Sequence, residues 1–145
     1  MPIELKVQRL DKELPLPKYA YPGDAGLDLV AASNANIAPG ERAIIPTGIA
    51  LAIPEGYAGF VQPRSGLALK QGLTLVNTPG LIDSHYRGEI KIIALNTDKQ
   101  TTINIKRGDR IAQLVIQAVP LVEIIECDEL DETERSTGGF GSSGV

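Results

Sequence analysis

Short apolar runs, each ending near a glycine or a proline, constrain most strongly what this chain can fold into. They are rich in isoleucine, valine and threonine and read ELKVQRL, GLDLVAA, RAIIPTGIALAIP, GYAGFVQP, LTLVN, EIKIIALN, TTINI and RIAQLVIQAVPLVEII. Such runs, interrupted at regular spacing, are typical of an all-β sandwich or barrel. No segment carries a long stripe of apolar residues at the period of a helix. The sequence therefore predicts an all-β fold.

One segment, SGLALKQG, predicts one or two helical turns, with Ser65 as the N-cap and Gly72 as the stop. A serine and a glycine at a helix start leave backbone N–H groups free, and an arginine adds a forked donor. Arg64, Ser65 and Gly66 therefore form a candidate anion site. A plain N-cap without a ligand is the alternative that these residues leave open.

The length of 145 residues fits one domain, which can bury a core without disulfide or metal support. Cys127 is the only cysteine, so no intrachain disulfide can form and a reducing compartment is expected. It ends the last apolar run, and we interpret it as the structural end of a strand. The opening MPIELKVQRLDKELPLP carries charges throughout, unlike a secretory signal or a membrane span. We expect a cytoplasmic protein with no membrane partner.

The formal net charge is −4. Domains with a broad nucleic-acid surface are usually strongly basic, so we expect no direct nucleic-acid partner. A small anionic ligand is compatible with this charge where arginine, lysine and backbone N–H groups are concentrated locally. A divalent cation would then offset the charge of the ligand.

The stretch from Asn77 to Asn96 predicts a β-hairpin with chemistry at its tip. Asp83, His85 and Tyr86 place a carboxylate, an imidazole and a phenol between the two predicted strands. The second strand alternates, with Glu89 and Lys91 on one face and Ile90, Ile92 and Ala94 on the other. Polar groups on a turn held by stiff strands are a common way to present chemistry. An ordinary polar turn is the alternative, because Asp and Gly also favour turns for conformational reasons.

Two polar residues interrupt apolar runs elsewhere. Gln113 lies within RIAQLVI, and its amide needs either a partner or a wet site. Asp28 lies within GLDLV, and its carboxylate needs a partner, such as a hydrated metal ion, if it points inward. Both side chains have the alternative of facing solvent.

The C-terminal part of the chain changes composition twice. Residues 128–134, DELDETE, are acidic and predict a solvated linker. Residues 135–145, RSTGGFGSSGV, are too poor in apolar side chains to order themselves. Arg135 and Phe140 nevertheless offer a phosphate-binding group and a stacking surface, so this flexible tail is either an arm that closes over a ligand or a dispensable end.

Five motifs, in order and across almost the whole chain, resemble those of the trimeric all-β dUTPases. They are AGLDLVA, PRSGLALK, GLIDSHYRGEI, GDRIAQLVI and RSTGGFGSSG. The resemblance implies a jelly-roll-like domain at 1–127, an acidic linker at 128–134 and a closing arm at 135–145. It further implies a homotrimer with active sites between subunits, where each arm crosses to a neighbour. The implied reaction, with Mg²⁺ on the triphosphate, converts dUTP and water to dUMP and pyrophosphate, which supplies the dTMP precursor and keeps uracil out of DNA.

The resemblance also implies roles for single residues. Asp83 is the expected general base, and Asp28 is expected to act on Mg²⁺ through a metal-bound water. The residues expected to bind the phosphates or the attacking water are Arg64, Ser65, Gly66 and Gln113. Uracil is expected to contact Asn77 and the backbone around Leu81 and Ile82, with Lys91 nearby and Tyr86 against the deoxyribose. In the arm, Arg135 is expected to clamp the terminal phosphate and Phe140, followed by Gly141, to stack on the base.

Two departures from the family pattern stand out. His85 occupies a position where many members have an acid or a small residue, so it inherits no role. Ser136 follows Arg135 where a glycine is usual. Three rival interpretations stay open: a dCTP deaminase with the same fold, a nucleotide-binding regulatory trimer without turnover, and a purely structural β-trimer.

Overall fold

The computed structural model describes residues 1–144, which form ten β-strands and one helix. The strands are β1 (Lys6–Arg9), β2 (Leu27–Val30), β3 (Ala35–Ile37), β4 (Arg42–Ala52), β5 (Tyr57–Gln62), β6 (Leu73–Leu75), β7 (Gly80–Ile82), β8 (Glu89–Asn96), β9 (Ile103–Ile105) and β10 (Arg110–Ala118). The helix α1 (Ser65–Gln71) lies between β5 and β6. The predicted all-β fold with one short helical segment is confirmed. Within the described residues, no helix is both long enough and apolar enough to cross a bilayer.

Two four-stranded antiparallel sheets form the body of the molecule. One has the order β1-β4-β8-β6 and the other β2-β10-β5-β7, while β3 and β9 form a small separate pair. Side chains from both large sheets share one aliphatic core. Its largest fully buried apolar members are Leu29, Ile37, Ile45, Leu73, Ile92, Ile111 and Leu114. This arrangement is the predicted jelly-roll-like sandwich.

One asparagine is fully buried within this core. The side-chain amide of Asn96 donates to the carbonyl oxygens of Ile37 at 2.8 Å and Thr101 at 2.9 Å. Its side-chain oxygen accepts the N–H of Asp98 at 2.8 Å. The side chain thus ties the ends of β3 and β8 to the following loop, and the cost of burying a polar group is offset by its three hydrogen bonds.

The helix begins one residue earlier than its sequence predicts. Arg64 is the N-cap, with extended backbone angles of φ −94° and ψ 128°, and its side chain makes no capping hydrogen bond. Ser65 is therefore the first helical residue, and the prediction that it is the N-cap is wrong. The predicted stop at Gly72 is confirmed, because this residue takes a left-handed φ of 72° and its N–H bonds to the carbonyls of the last turn.

The segment from Asn77 to Asn96 does not form the predicted β-hairpin. Strand β7 pairs with β5, whereas β8 pairs with β4 and β6, so the connecting turn crosses from one sheet to the other. The predicted alternation in β8 is confirmed, since Ile90 and Ile92 are buried and Lys91 is exposed. Alternation determines which face of a strand is buried, but it carries no information about the neighbouring strand.

The last strand ends at Ala118, so the prediction of a strand that reaches Cys127 is wrong. Ala118 pairs with Tyr57, the first residue of β5, and β5 offers no further partner. Pro120 has no N–H with which to continue a ladder. The residues beyond are exposed, including Cys127 and the apolar side chains of Leu121, Val122, Ile124 and Ile125. The division of the chain at residue 127 stays a prediction.

An ion pair ties the loop after β1 to the turn between β9 and β10. The guanidinium of Arg107 binds both carboxylate oxygens of Asp11 and also donates to the carbonyl of Ala32 at 2.8 Å. The hydrogen bond from Arg107 to the carboxylate of Asp11 is the main reason why the pKa of Asp11 is lowered below its ordinary value of 3.8. The same contact raises the pKa of Arg107. The pair therefore links stability to pH.

We predict that this pair stabilises the fold above the ordinary pKa of a carboxyl group and that its contribution is lost in acid. Because the pKa of Asp11 is lowered by folding, the contribution is complete above about pH 4 and disappears as the pH falls through the lowered pKa. Urea unfolding measured from neutral pH downwards should show the loss in the native protein. The loss should be smaller in Arg107→Gln.

Lys12→Gln is the matched control, because it removes a neighbouring positive charge without removing a hydrogen bond to Asp11. Its pH dependence should follow that of the native protein. Identical curves for Arg107→Gln and the native protein would contradict the prediction.

Candidate active site

A cavity of about 320 Å³ opens beside the turn that joins β7 to β8. We call it the turn pocket. Its lining residues are Ile44, Val61, Leu75, Asn77, Gly80, Leu81, Ile82, Asp83, Tyr86, Glu89, Ile90, Lys91 and Ile93. Aliphatic side chains of both sheets form its floor, and polar groups of the turn form its rim. Such a combination fits a flat, partly apolar ligand with a few polar edges.

Hydrogen bonds within the turn hold its shape. The N–H of Tyr86 donates to the carbonyl of Asp83 at 3.1 Å. The guanidinium of Arg87 donates to the carbonyl of Ser84 at 2.6 Å. The phenol of Tyr86 donates to the carbonyl of Glu89 at 3.0 Å, so the aromatic ring folds back over the turn. Asp83 is exposed at the rim of the pocket, where its carboxylate is free to meet a ligand.

A bulge in β4 anchors the start of β8. The register of these strands shifts between Pro46 and Ala50. There the N–H of Gly48 donates to the carboxylate of Glu89 at 3.0 Å. The buried hydroxyl of Thr47 donates to the carbonyl of Ile90 at 2.5 Å. Side chains therefore hold the sheet and the turn together where the regular ladder is interrupted.

A second cavity, of about 330 Å³, lies beside the β2-β10-β5-β7 sheet, near the end of β5 and the start of α1. We call it the arginine pocket. Its lining residues are Ala20, Tyr21, Asp24, Ala25, Gly26, Asp28, Arg64, Ser65, Gly66 and Gln113. Strand register explains why they meet, because Gln113 of β10 stands opposite Asp28 of β2 and Gln62 of β5.

Charge is concentrated around Asp28. Its carboxylate, 16% exposed, lies 3.5 Å from the Nε atom of Arg64 and 3.5 Å from a guanidinium nitrogen of Arg110. Asp28 thus faces the pocket and not solvent. The side-chain amide of Gln113 is also hydrogen-bonded, because it donates to the carbonyl of Pro63 at 2.9 Å. The guanidinium groups of Arg64 and Arg110, one beside each oxygen of Asp28, are forked donors of the kind that bind anionic groups.

The oxygen donors of this pocket fit a magnesium ion only in a particular way. Within residues 1–144, no group of three or more His, Cys, Asp or Glu side chains could hold a metal ion. Asp28 and Asp24 both line the pocket, and Asp24 also accepts the N–H of Tyr21 at 2.9 Å. Mg²⁺ keeps most of its waters and commonly combines one or two carboxylates with phosphate oxygens of a ligand. The pocket therefore fits a hydrated ion that arrives with an anion.

Residues 135–144 of the C-terminal arm line neither pocket, and Val145, the last residue of the predicted arm, lies outside the described residues. The side chain of Arg135 donates to the carbonyl of Gly138 at 2.7 Å. Phe140 is fully exposed. Ser136 and Phe140 have φ values of 51° and 50°, so the arm turns locally at both residues. The roles expected of Arg135, Phe140 and Gly141 stay predictions.

The remaining predicted site residues divide between the two cavities. The turn pocket contains Asn77, Leu81, Ile82, Asp83, Tyr86 and Lys91. The arginine pocket contains Asp28, Arg64, Ser65, Gly66 and Gln113. His85 lines neither and lies 3.4 Å from Glu55, with both side chains exposed.

Sequence reasoning missed two residues of these sites. Arg110 pairs with Asp28 across the two strands, although 82 positions separate them in the chain. Glu89 was expected only on the outer face of β8, whereas its carboxylate binds the bulge in β4. No local pattern of residues could have indicated either contact, because each depends on which strands become neighbours.

This chain is similar to known proteins over almost its whole length. The dUTPase family model matches residues 12–144. The deoxyuridine 5'-triphosphate nucleotidohydrolase of Thermobifida fusca is 58% identical over 142 residues, which cover 98% of this chain and 79% of that protein. The same enzyme of Corynebacterium glutamicum is 59% identical over 140 residues, which cover 97% of this chain and 94% of that protein.

Solved structures agree with this match. A mutant dUTPase of Staphylococcus bacteriophage 80alpha with dUpNHpp has a TM-score of 0.90 and 32% identity, and the match covers 98% of this chain and 99% of that one. A mutant dUTPase from phage phi11 of S. aureus, described as revealing how a structural Mg(II) ion is coordinated, has a TM-score of 0.82 and 29% identity. That match covers 90% of this chain and 100% of the other.

Proposed function

Because this chain belongs to the dUTPase family, we propose that it hydrolyses dUTP to dUMP and pyrophosphate. The observation that carries the proposal is the composition of the turn pocket. One cavity combines an amide at Asn77, a free carboxylate at Asp83 and an aromatic ring at Tyr86 with an apolar floor. The arginine pocket supplies the matching site for a triphosphate. The product dUMP is a precursor of dTMP, and removal of dUTP keeps uracil out of DNA.

Recognition of uracil rests on β7 and its flanks. The amide of Asn77 and the backbone around Leu81 and Ile82 face the turn pocket, with Lys91 on the neighbouring strand. Gly80 and Ile82 are buried, so strand β7 forms a rigid wall of the turn pocket. A methyl group in an apolar pocket changes binding by only about 1–3 kcal/mol. Exclusion of thymine therefore depends on steric overpacking against a stiff strand.

Selection of deoxyribose rests on Tyr86. Its phenol is held by the carbonyl of Glu89 at 3.0 Å, which fixes the ring at the rim of the turn pocket. A ring packed closely against carbon 2' of the sugar leaves no room for a hydroxyl group. The enzyme would thereby prefer dUTP to UTP.

Phosphate binding rests on the arginine pocket. Arg64 offers a guanidinium fork, Ser65 and Gly66 offer donors at the start of α1, and Gln113 offers an amide that binds a phosphate or orients the attacking water. When Mg²⁺ is bound to the triphosphate it neutralises phosphate charge, and Asp28 would hold it through a metal-bound water. Asp28 is 16% exposed and faces the pocket, as this role requires.

Asp83 supplies the chemistry. Its carboxylate orients a water molecule and accepts its proton as the water oxygen attacks the α-phosphorus. The bond from this phosphorus to the bridging oxygen breaks, and pyrophosphate leaves. Positioning and charge stabilisation provide most of the catalysis in phosphoryl transfer, so a well-placed carboxylate suits this role.

The complete site requires more than one chain. Within one chain the base-binding and phosphate-binding residues line different cavities, and the arm joins neither. The exposed apolar side chains of Leu121, Val122, Ile124 and Ile125 would be covered in an assembly. We therefore place the active sites between the subunits of a homotrimer. Each arm crosses to a neighbouring site, where Arg135 clamps the terminal phosphate and Phe140, beside Gly141, covers the base.

The direct test is release of pyrophosphate by the purified protein with Mg²⁺, with dUTP compared against dCTP, dTTP and UTP. The proposal expects turnover of dUTP alone, with dUMP as the nucleotide product. A uracil nucleotide formed from dCTP would move the protein to the deaminases. Tight binding of dUTP without turnover would instead support a sensor of this nucleotide.

We predict that Asp83→Asn retains nucleotide binding and loses turnover by roughly 10²–10⁴-fold, the usual contribution of a general base. The amide keeps the shape of the side chain but cannot accept the proton. Binding of the imido analogue of dUTP, measured by calorimetry, should change little. Asp131→Asn, in the acidic linker, is the matched control and should retain full activity. Residual turnover near the native rate in Asp83→Asn would remove Asp83 as the base.

We predict that removal of residues 135–145 leaves the fold intact and lowers kcat/KM for dUTP by about 100-fold or more, because phosphate positioning and exclusion of water are lost. Circular dichroism and thermal unfolding report the fold, and steady-state kinetics report the loss. A full-length variant with Arg135→Ser and Phe140→Ser separates the two side chains from the length of the arm. Native kinetics in either variant would contradict the role of the arm.

A further inference from the structure

The aromatic ring of Tyr86 lies directly over Gly88. A Cβ atom built on Gly88 would stand 2.4 Å from the phenol oxygen, 2.6 Å from Cζ and 2.9 Å from Cε1 of Tyr86. All three separations are shorter than van der Waals contact between such atoms. We propose that Gly88 is a positioning residue that provides the seat for the Tyr86 ring and thereby sets the discrimination between deoxyribose and ribose.

The backbone itself does not require glycine at this position. Eight other glycines of the described chain have a positive φ, but Gly88 is not among them. Alanine can therefore adopt the same backbone conformation without the strain of the left-handed region. The three nearest atoms that a Cβ would meet all belong to the side chain of Tyr86. The absence of a side chain at Gly88 thus serves the ring and not the turn.

A hydrogen bond fixes the ring as well. This second restraint acts at the same end of the ring that lies against Gly88: the phenol donates to the carbonyl of Glu89, and the carboxylate of Glu89 accepts the N–H of Gly48 in the bulge of β4. Tyr86 is 48% exposed, so its outer side is free to move. A methyl group at Gly88 would therefore be relieved by rotation of the ring away from its seat. That rotation breaks the hydrogen bond to Glu89 and shifts the surface against which the sugar packs.

This inference rests on the proposed function, in which Tyr86 contacts the deoxyribose. It predicts a specific loss in Gly88→Ala: the ratio of kcat/KM for dUTP to that for UTP falls by about tenfold or more, the lower range for discrimination by one small group. Thermal unfolding should change little. Ser84→Ala, in the same turn but outside the turn pocket, is the control and should keep the native ratio.

A double-mutant cycle distinguishes seating of the ring from any other effect of the methyl group. Once Tyr86→Ala has removed the ring, adding Gly88→Ala should cause no further loss of the dUTP-to-UTP ratio. Losses that multiply in the double variant would overturn the inference. If Gly88→Ala alone does not fold, the double variant decides: a folded double variant supports the clash with Tyr86, and an unfolded one refutes it.

A structural readout keeps this inference separate from the proposed function. Tyr86 is one of four tyrosines, and its ring signals in a carbon–proton NMR spectrum can be assigned by their loss in Tyr86→Ala. In Gly88→Ala these signals should shift while those of the other tyrosines stay in place. Unchanged Tyr86 signals would overturn the seating of the ring. If the native protein does not turn over dUTP, the proposed function fails instead, whatever the spectra show.

Discussion

The contact between Glu89 and the bulge in β4 is the constraint on which the site depends. Strand β8 lies between β4 and β6 in its sheet, but its first residue meets β4 where the ladder is interrupted. Glu89 bridges this interruption with two hydrogen bonds. Its carboxylate accepts the N–H of Gly48, and its carbonyl accepts the phenol O–H of Tyr86. Each such hydrogen bond contributes only about 1 kcal/mol to stability. Their combined effect is geometric, because one residue connects the sheet to the turn that carries Asp83.

The two pockets differ in the chemistry of their lining residues. The turn pocket has an aliphatic floor suited to a flat base. In the arginine pocket Arg64 lies beside one oxygen of Asp28, and Arg110 pairs with the other oxygen, so guanidinium groups are concentrated locally on a chain whose net charge is −4. Local concentration of charge, and not net charge, therefore determines whether an acidic protein can bind a triphosphate. The carboxylate of Asp28 also offsets the electrostatic repulsion between the two guanidinium groups before an anion binds.

The sequence was sufficient for the fold class, and the family resemblance named most of the polar residues that line the two pockets, but neither gave the strand partners. The alternation around Ile90 and Ile92 specifies a strand with one buried face, and Gly72 specifies a helix end, because both are local properties. The hairpin prediction for Asn77–Asn96 failed because it needs the neighbour of each strand, which only the whole sheet determines. Ser65 failed as an N-cap because the chain is still extended at Arg64, whose side chain turns to Asp28 on another strand.

Glycine explains why the details of the site escaped sequence reasoning. Glycines are usually interpreted as residues that supply a positive φ, which holds for Gly48 in the bulge of β4 and for Gly72 at the end of α1. Gly26 and Gly88 are different, since their backbone angles are open to other residues and a Cβ would collide with a functional side chain. At Gly26 that collision is with the amide oxygen of Gln113 at 2.4 Å, and at Gly88 it is with the phenol of Tyr86 at the same distance. A single sequence does not show where a glycine leaves room for a neighbouring side chain, because that room results from the absence of a Cβ atom. In the proposed function, selectivity is thus encoded partly by a residue, Gly88, that touches no substrate.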